Sequence, residues 1–251
     1  MTAVVGIDGC PGGWIAVWQA GANTAVAVFP SFAEALAAFP EDAIVAVDMP
    51  IGLPDVIRHG GRGPERLVRP LLGERQSSVF SIPSRAAVYA ETDAYTTPKA
   101  WYAAHRRASE VARRTSDPSR AISIQAFGIF AKIREIDALL REHERLRGRV
   151  FESHPEVSFT HLNGMQPMSA PKKIRNVVNL PGLEERKALL GRHGYHPTFL
   201  DARPPAGARP DDFLDAACMM LVAARIARGE AVSYPDPPER DAYGIPVAIH
   251  A

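Results

Sequence analysis

Apolar residues gather into short runs at the start of the chain: 3–8 (AVVGID), 14–19 (WIAVWQ) and 24–29 (TAVAVF), with turn residues between them. Runs of this length bounded by glycine and asparagine read as strands, and their close spacing predicts an antiparallel meander. The stretch 31–39 (SFAEALAAF) predicts a short helix with Ser31 as N-cap and Phe32, Leu36 and Phe39 on one face. Another apolar strand lies in 43–54 (AIVAVDMPIGLP). A strand–helix–strand passage of this kind predicts that it pairs in parallel with the first strand.

From 55 to 147 the pattern becomes mostly helical and irregular. Ile124, Phe127, Phe130, Ile133, Ile136 and Leu140 recur at helical spacing and predict one helix over 123–146. A second, more basic helix is predicted over 97–114, with Pro98 close to its start. A strand at 149–153 (RVFES) follows, then helices over 183–194, stopped by Gly194, and 211–230, closed by Gly229. Leu214, Cys218, Leu221, Val222 and Ile226 form the buried stripe of that last helix, and a hairpin over 240–250 ends the pattern.

Two of the predicted strands end in a carboxylate, Asp8 and Asp48. If those strands are parallel neighbours, both acids lie at one end of the sheet, the end where open α/β sheets collect ligands. Asp8 is followed by Gly9, Gly12 and Gly13, which mark either a tight hairpin corner or a backbone drawn close to a bound group. Glu156 follows the fifth strand, and Asp212 and Asp215, three apart on one helical face, read as part of the last helix's first turn. Acids there also serve a helix by satisfying its dipole and free N–H groups. Four or five carboxylates brought together repel unless a cation sits among them. Hard oxygen ligands select Mg²⁺ or Mn²⁺ over zinc.

Charge is unevenly spread. Residues 1–53 carry five acids and no Lys or Arg, 54–150 carry a net +7, and 151–251 a net −1, so the total of +1 hides a basic middle. That middle reads either as solvated helices or as a surface for a polyanion such as a phosphate backbone. No apolar run approaches the ~20 residues of a membrane span, and the N-terminus has no basic head or cleavage signal of a secretory peptide. Two cysteines, Cys10 and Cys218, make no disulfide framework, so the expected setting is a reducing cytoplasm.

Six stretches, GIDGCPGGW, VDMPIGLP, LLGERQSSVFSIPSR, AFGIFAKIREID, HPEVSF and DDFLDAA, run in order from residue 6 to residue 217. Together they resemble the domain-of-unknown-function family 429, proteins that look like predicted nucleases of the ribonuclease H-like superfamily. Two positions depart from the family's pattern: Glu65 stands where an Asp is usual, and Ile174 where a Thr follows the lysine pair. The resemblance implies an α/β fold: a ribonuclease H-like five-stranded mixed sheet, three antiparallel strands and then two parallel ones, flanked by helices. It forms a single domain over 1–251, with a large, basic, mostly helical insertion at about 55–147. It also implies that Asp8, Asp48, Asp212 and Asp215 are catalytic metal ligands holding two Mg²⁺ or Mn²⁺ ions. Glu156 matches the family's own HPE motif, and Glu152, inside the strand, is its nearest rival.

The remaining candidates concern substrate. Lys132, on an apolar helix, reads either as a snorkelling surface residue or, with the resemblance, as a phosphate contact. Ser77 and Ser78 either bind phosphate or cap a turn. Arg75, Arg85, Lys172 and Lys173 are candidate polyanion contacts. His154, before a proline, is either a proton shuttle or structural. Cys10, among glycines and with no His nearby in sequence, reads as a small packing residue. The function expected is a metal-dependent nuclease acting on DNA or RNA, with nucleic acid as its partner and no membrane association. Two other classes stay open: a nucleotide-binding protein of the actin and sugar-kinase type, which needs two such domains, and a binding or regulatory protein without turnover.

Overall fold

The meander forms as its spacing predicts. β1 (Val4–Cys10), β2 (Gly13–Ala20) and β3 (Asn23–Phe29) pair antiparallel. β4 (Ile44–Asp48) then joins β1 in parallel, and β5 (Val150–Glu152) joins β4 in parallel, giving the order β3-β2-β1-β4-β5. The structure, a computed structural model, describes residues 2–20, 23–175 and 177–251. The main helices are α1 (Phe32–Ala37), α2 (Gly63–Val68), α3 (Pro98–Arg114), α4 (Phe130–Glu142), α5 (Pro155–Leu162), α6 (Leu180–Arg192) and α7 (Pro210–Ala227). A closing hairpin, β6 (Ser233–Arg240) and β7 (Pro246–His250), lies beside β5 through a bridge from His250 to Ser153.

Strand alternation sorts the core into two layers. Val5, Ile7, Val45, Val47 and Val150 point to one face, where Phe32 of α1, the Ala104, Ala108 and Ala112 stripe of α3, and Phe130, Ile133 and Ile136 of α4 cover them. Cys10, Ile15, Val17 and Ala46 point to the other, against Leu189 and Leu190 of α6 and nearly the whole N-terminal half of α7. The segment between β4 and β5 thus roofs one face of the sheet, and the last helices roof the other. Gly6 faces α7: a Cβ there would run into the backbone of Ala216 and Met220. At Gly13, which turns β1 into β2, φ is +123°, a conformation that favours glycine.

Several boundaries differ from the sequence pattern. The helix expected over 123–146 is broken: Ser123 Oγ accepts the Ala126 N–H to start a short turn over Ile124–Gly128, and α4 begins only after Ile129. Ile124 is therefore 46% exposed and lies outside the buried stripe. The apolar run 43–54 stays a strand only to Asp48, because Pro50 donates no N–H and Gly52, at φ +76°, turns the chain. The helix expected from 183 starts at Leu180, and the terminal hairpin starts at Ser233. Ser31 caps α1 as expected, accepting the Glu34 N–H at 3.2 Å.

The contact over Gly6 generates a direct test. Gly6→Ala forces backbone apart on both sides, so unfolding free energy should drop by about 3 kcal/mol, the upper range for overpacking. Denaturant titration reads it, with an unchanged slope showing that only stability has moved.

Candidate metal centre

Asp8 and Asp48 lie directly opposite each other in the parallel β1–β4 register. Both occupy even positions, the alternation that faces α7, and Asp215 meets them from the second turn of that helix. One carboxylate oxygen from each of the three lies within 4.8 Å of the others. Asp8 is 7% and Asp215 2% exposed, and Asp215 Oδ1 is buried without a partner. Asp8 Oδ1 is held by the Gly9 N–H at 2.6 Å. Three convergent carboxylates, one of which also keeps a buried, unpartnered oxygen, fit a hard divalent cation such as Mg²⁺ or Mn²⁺.

Burial, followed by repulsion from Asp48 and Asp215, holds the Asp8 carboxyl well above the usual carboxylate range. Burial likewise pushes Asp48 up to about 8, with Asp215, Glu152 and Glu156 adding repulsion against the pull of Lys172. Asp215 is pushed up to about 6 by burial, although Lys172 lowers it. Lys172 Nζ pairs with Asp215, and Lys173 Nζ with Asp211. Burial opposes the Lys172 charge, yet the surrounding acids, Asp215 foremost, hold its ammonium well above the ordinary lysine range. The lysine pair thus neutralises the carboxylates from within.

The other acids take different places. Glu156, buried in the first turn of α5, accepts from Arg186 Nη2 on Oε1 at 2.6 Å and keeps Oε2 unpaired; it stands outside the group of three while its charge reaches Asp48 and Asp215. Asp212 accepts the Arg209 N–H at 2.9 Å, the reciprocal arm of a helix start, and is also outside the group. Asp215 sits one turn deeper than the first turn expected for it. Glu152 pairs across from Val47 and so shares the opposite face of the sheet from Asp48. There it meets Arg62 Nη2 at 2.5 Å and the Ile51 N–H at 2.7 Å, with Glu65 on the Nε of the same arginine at 2.6 Å. Alternation keeps this rival out of the group of three, although it lines the same cleft and its charge reaches Asp48.

A cleft of about 320 Å³ opens over the centre, lined by Asp8, Asp48, Glu156 and Lys172 and by Lys132, Ser78 and His154. Lys132 threads past Gly9, donates to the Gly13 carbonyl and lies 4.4 Å over the Trp14 ring. Burial lowers its pKa. Ser77 is exposed and turned to a neighbouring groove. Arg75 holds the Ser169 carbonyl at 2.7 Å, tying the loop before the lysine pair. Arg85 lies elsewhere: it is buried between Asp137 and Asp241, so its charge is spent inside the fold. Arg106, Arg113 and Arg114 remain exposed on α3. Cys10 is buried, and that burial raises its thiol pKa, which suits packing over nucleophilic attack. Asp211 and Arg186 joined the site's surroundings without any local signal, because their partners Lys173 and Glu156 lie 38 and 30 residues away in sequence.

Carboxyls whose folded pKa exceeds the unfolded value of about 3.9 keep protons that the unfolded chain has lost. Stability from this source is full below that value and is lost as pH rises through about 6 for Asp215 and about 8 for Asp48. The metal-free protein should therefore lose melting temperature between pH 4 and 8, at up to about 1.4 kcal/mol per pH unit for each retained proton. Asp48→Asn should flatten the slope, and Mn²⁺, which binds the ionised form, should offset it at pH 8. A slope unchanged by Asp48→Asn would show that other groups set it.

No curated protein and no solved structure matches the chain. One family model does, over residues 6–240 and so across nearly the whole sheet, the cleft and all three aspartates: the chain belongs to the DUF429 family of proteins of unknown function.

Proposed function

We propose that the chain is a metal-dependent phosphodiesterase, a nuclease acting on DNA or RNA. The observation that carries this reading is the trio Asp8, Asp48 and Asp215, with a buried, unpartnered oxygen on Asp215. Divalent cations bound at such carboxylates supply a water that ionises near neutral pH and neutralise charge on the leaving oxygen. The three aspartates would hold Mg²⁺ or Mn²⁺. The unpartnered Oε2 of Glu156, a residue oriented by Arg186 and lining the same cleft, would be a further oxygen for a second ion. Lys172 balances the acids through Asp215, and with a cation held there its ammonium would be free to meet a phosphate oxygen. Lys132, held at the Gly9–Gly13 turn, supports the strand end that carries Asp8. The products of in-line attack by water would carry 5′-phosphate and 3′-hydroxyl ends. Among the described residues no helix is long and apolar enough to cross a membrane, both cysteines are free, and we place this activity in the reducing cytoplasm.

The test is purified protein with Mn²⁺ and labelled single-stranded, duplex and branched DNA and RNA, beside an ATP-hydrolysis control. Cleavage that needs the metal, and that falls about a thousandfold (~4 kcal/mol of barrier) in Asp48→Asn and Asp215→Asn while both variants remain folded, supports the reading. ATP hydrolysis without cleavage of any polymer would overturn it.

A further inference from the structure

We infer that the cleft over the carboxylates admits one whole nucleotide with its base turned inward, so that the substrate is a free, terminal or extruded nucleotide and not an intact duplex. The position of the phosphate at the three aspartates rests on the nuclease reading; the base compartment does not. Three features of the cleft support it.

The first is enclosure. Of the three carboxylates, Asp8 and Asp48 line the cleft, Asp8 under a tenth exposed, and Asp215 is buried behind them. A phosphate in a paired duplex is fixed to a rigid helix and flanked by a second strand, so it cannot descend to them. A nucleotide freed from stacking can, which is how enzymes that act on a single base gain access. The second is the character of the walls. Val79, Phe80, Ile82, Ile129 and Ile249 line the same cleft, and a small-ligand site of this size, mostly apolar with a few polar groups, suits a flat ring. A bare sugar–phosphate backbone has no use for them.

The third is unmet hydrogen bonding. Ser78 Oγ and His154 Nδ1 are buried without partners, and both residues line the cleft. His154 Nε2 lies 3.3 Å from the Ser78 carbonyl, which only accepts, so that nitrogen carries the ring's hydrogen. With the hydrogen on Nε2, the buried and unpartnered Nδ1 is left as an acceptor. Buried polar atoms left unpaired are costly. An N–H from a base edge meets the acceptor, and the serine hydroxyl serves either role.

Gly128 offers a clean way to fill the compartment. It lines the cleft, a Cβ there would meet nothing within 4 Å, and its backbone is ordinary. Calorimetric titration of the full chain in Mn²⁺ compares the four nucleoside 5′-monophosphates with ribose 5-phosphate. A metal-free arm compares the four nucleosides with ribose. At least one nucleotide should bind tenfold or more tightly than ribose 5-phosphate, and its nucleoside more tightly than ribose. Gly128→Phe and Phe80→Ala should each weaken that binding about tenfold, as loss of base stacking does, and leave Mn²⁺ affinity unchanged. Cleavage of a single-stranded oligonucleotide, and of a duplex with one unpaired nucleotide, should exceed that of the intact duplex; binding of monophosphates with no cleavage of either marks the free nucleotide as the source. Ribose 5-phosphate binding as tightly as every monophosphate, or Gly128→Phe binding nucleotides like the parent, overturns the inference even if cleavage persists. Base-dependent binding without any metal-dependent cleavage instead sinks the nuclease reading and leaves the base compartment standing.

Discussion

The backbone of α7 lies directly on β1, and Gly6 is the residue that lets it. Any side chain at position 6 would lift the helix off the strand, since a Cβ there meets main-chain atoms of Ala216 and Met220 and no flexible tip that could move aside. Asp8 is two residues further along the same strand face, and Asp215 precedes Ala216 on the helix. One close approach therefore brings an acid from the helix to the acids of two strand ends. The centre is built from rigid elements, two in-register strands and a buried helix, and this is what gives three short side chains a common focus.

That focus is electrostatically expensive, and the surroundings show how it is tolerated. Lys172 and Lys173 enter from a short hairpin and pair with Asp215 and Asp211. Arg186, fully buried, takes Glu156 while its other nitrogen holds the Ala170 and Gly182 carbonyls, so the loop before the lysines is anchored through the same side chain. Arg62 plays the same part on the opposite face of the sheet with Glu65 and Glu152. Breaking one partner of such a buried pair leaves an uncompensated charge and costs more than the pair contributes. The cations are thus tied to the acids as one unit, and burial first, with mutual repulsion added, still holds the three aspartate carboxyls above their usual range.

The cleft arises from the same layering. The segment between β4 and β5 roofs the sheet face opposite α7 and returns at its rim with Val79, Phe80 and Ile129, while the lysine hairpin arrives from the α7 side. Acids, cations and apolar walls come from different stretches of chain, and each supplies what the others lack: ligands, neutralisation and shelter from water. A low-dielectric pocket strengthens every charge within it, which is why so few polar residues suffice to define the site.

Local pattern determined much of this protein. Alternation and short spacing carried the three-strand meander, the intervening helix implied the parallel β4, and Asp8 and Asp48 were readable as paired strand ends because register follows from topology. The Ser31 cap and the glycine stops after α6 and α7 were equally local. What tertiary structure decided was everything that depends on which way a side chain faces once elements meet. Glu152 was turned from the centre by the period-two alternation of β5 in a register set only by pairing with β4. Asp212 was drawn into its own helix start, while Asp215, three residues on, met the strands. Arg85, one of many arginines in a basic segment, found Asp137 and Asp241 at separations of 52 and 156 residues. Short-range propensity acts within a few residues, whereas charge pairing and close packing act between segments that only the folded chain brings together; the elements were therefore legible in the sequence and the division of labour among the acids was not.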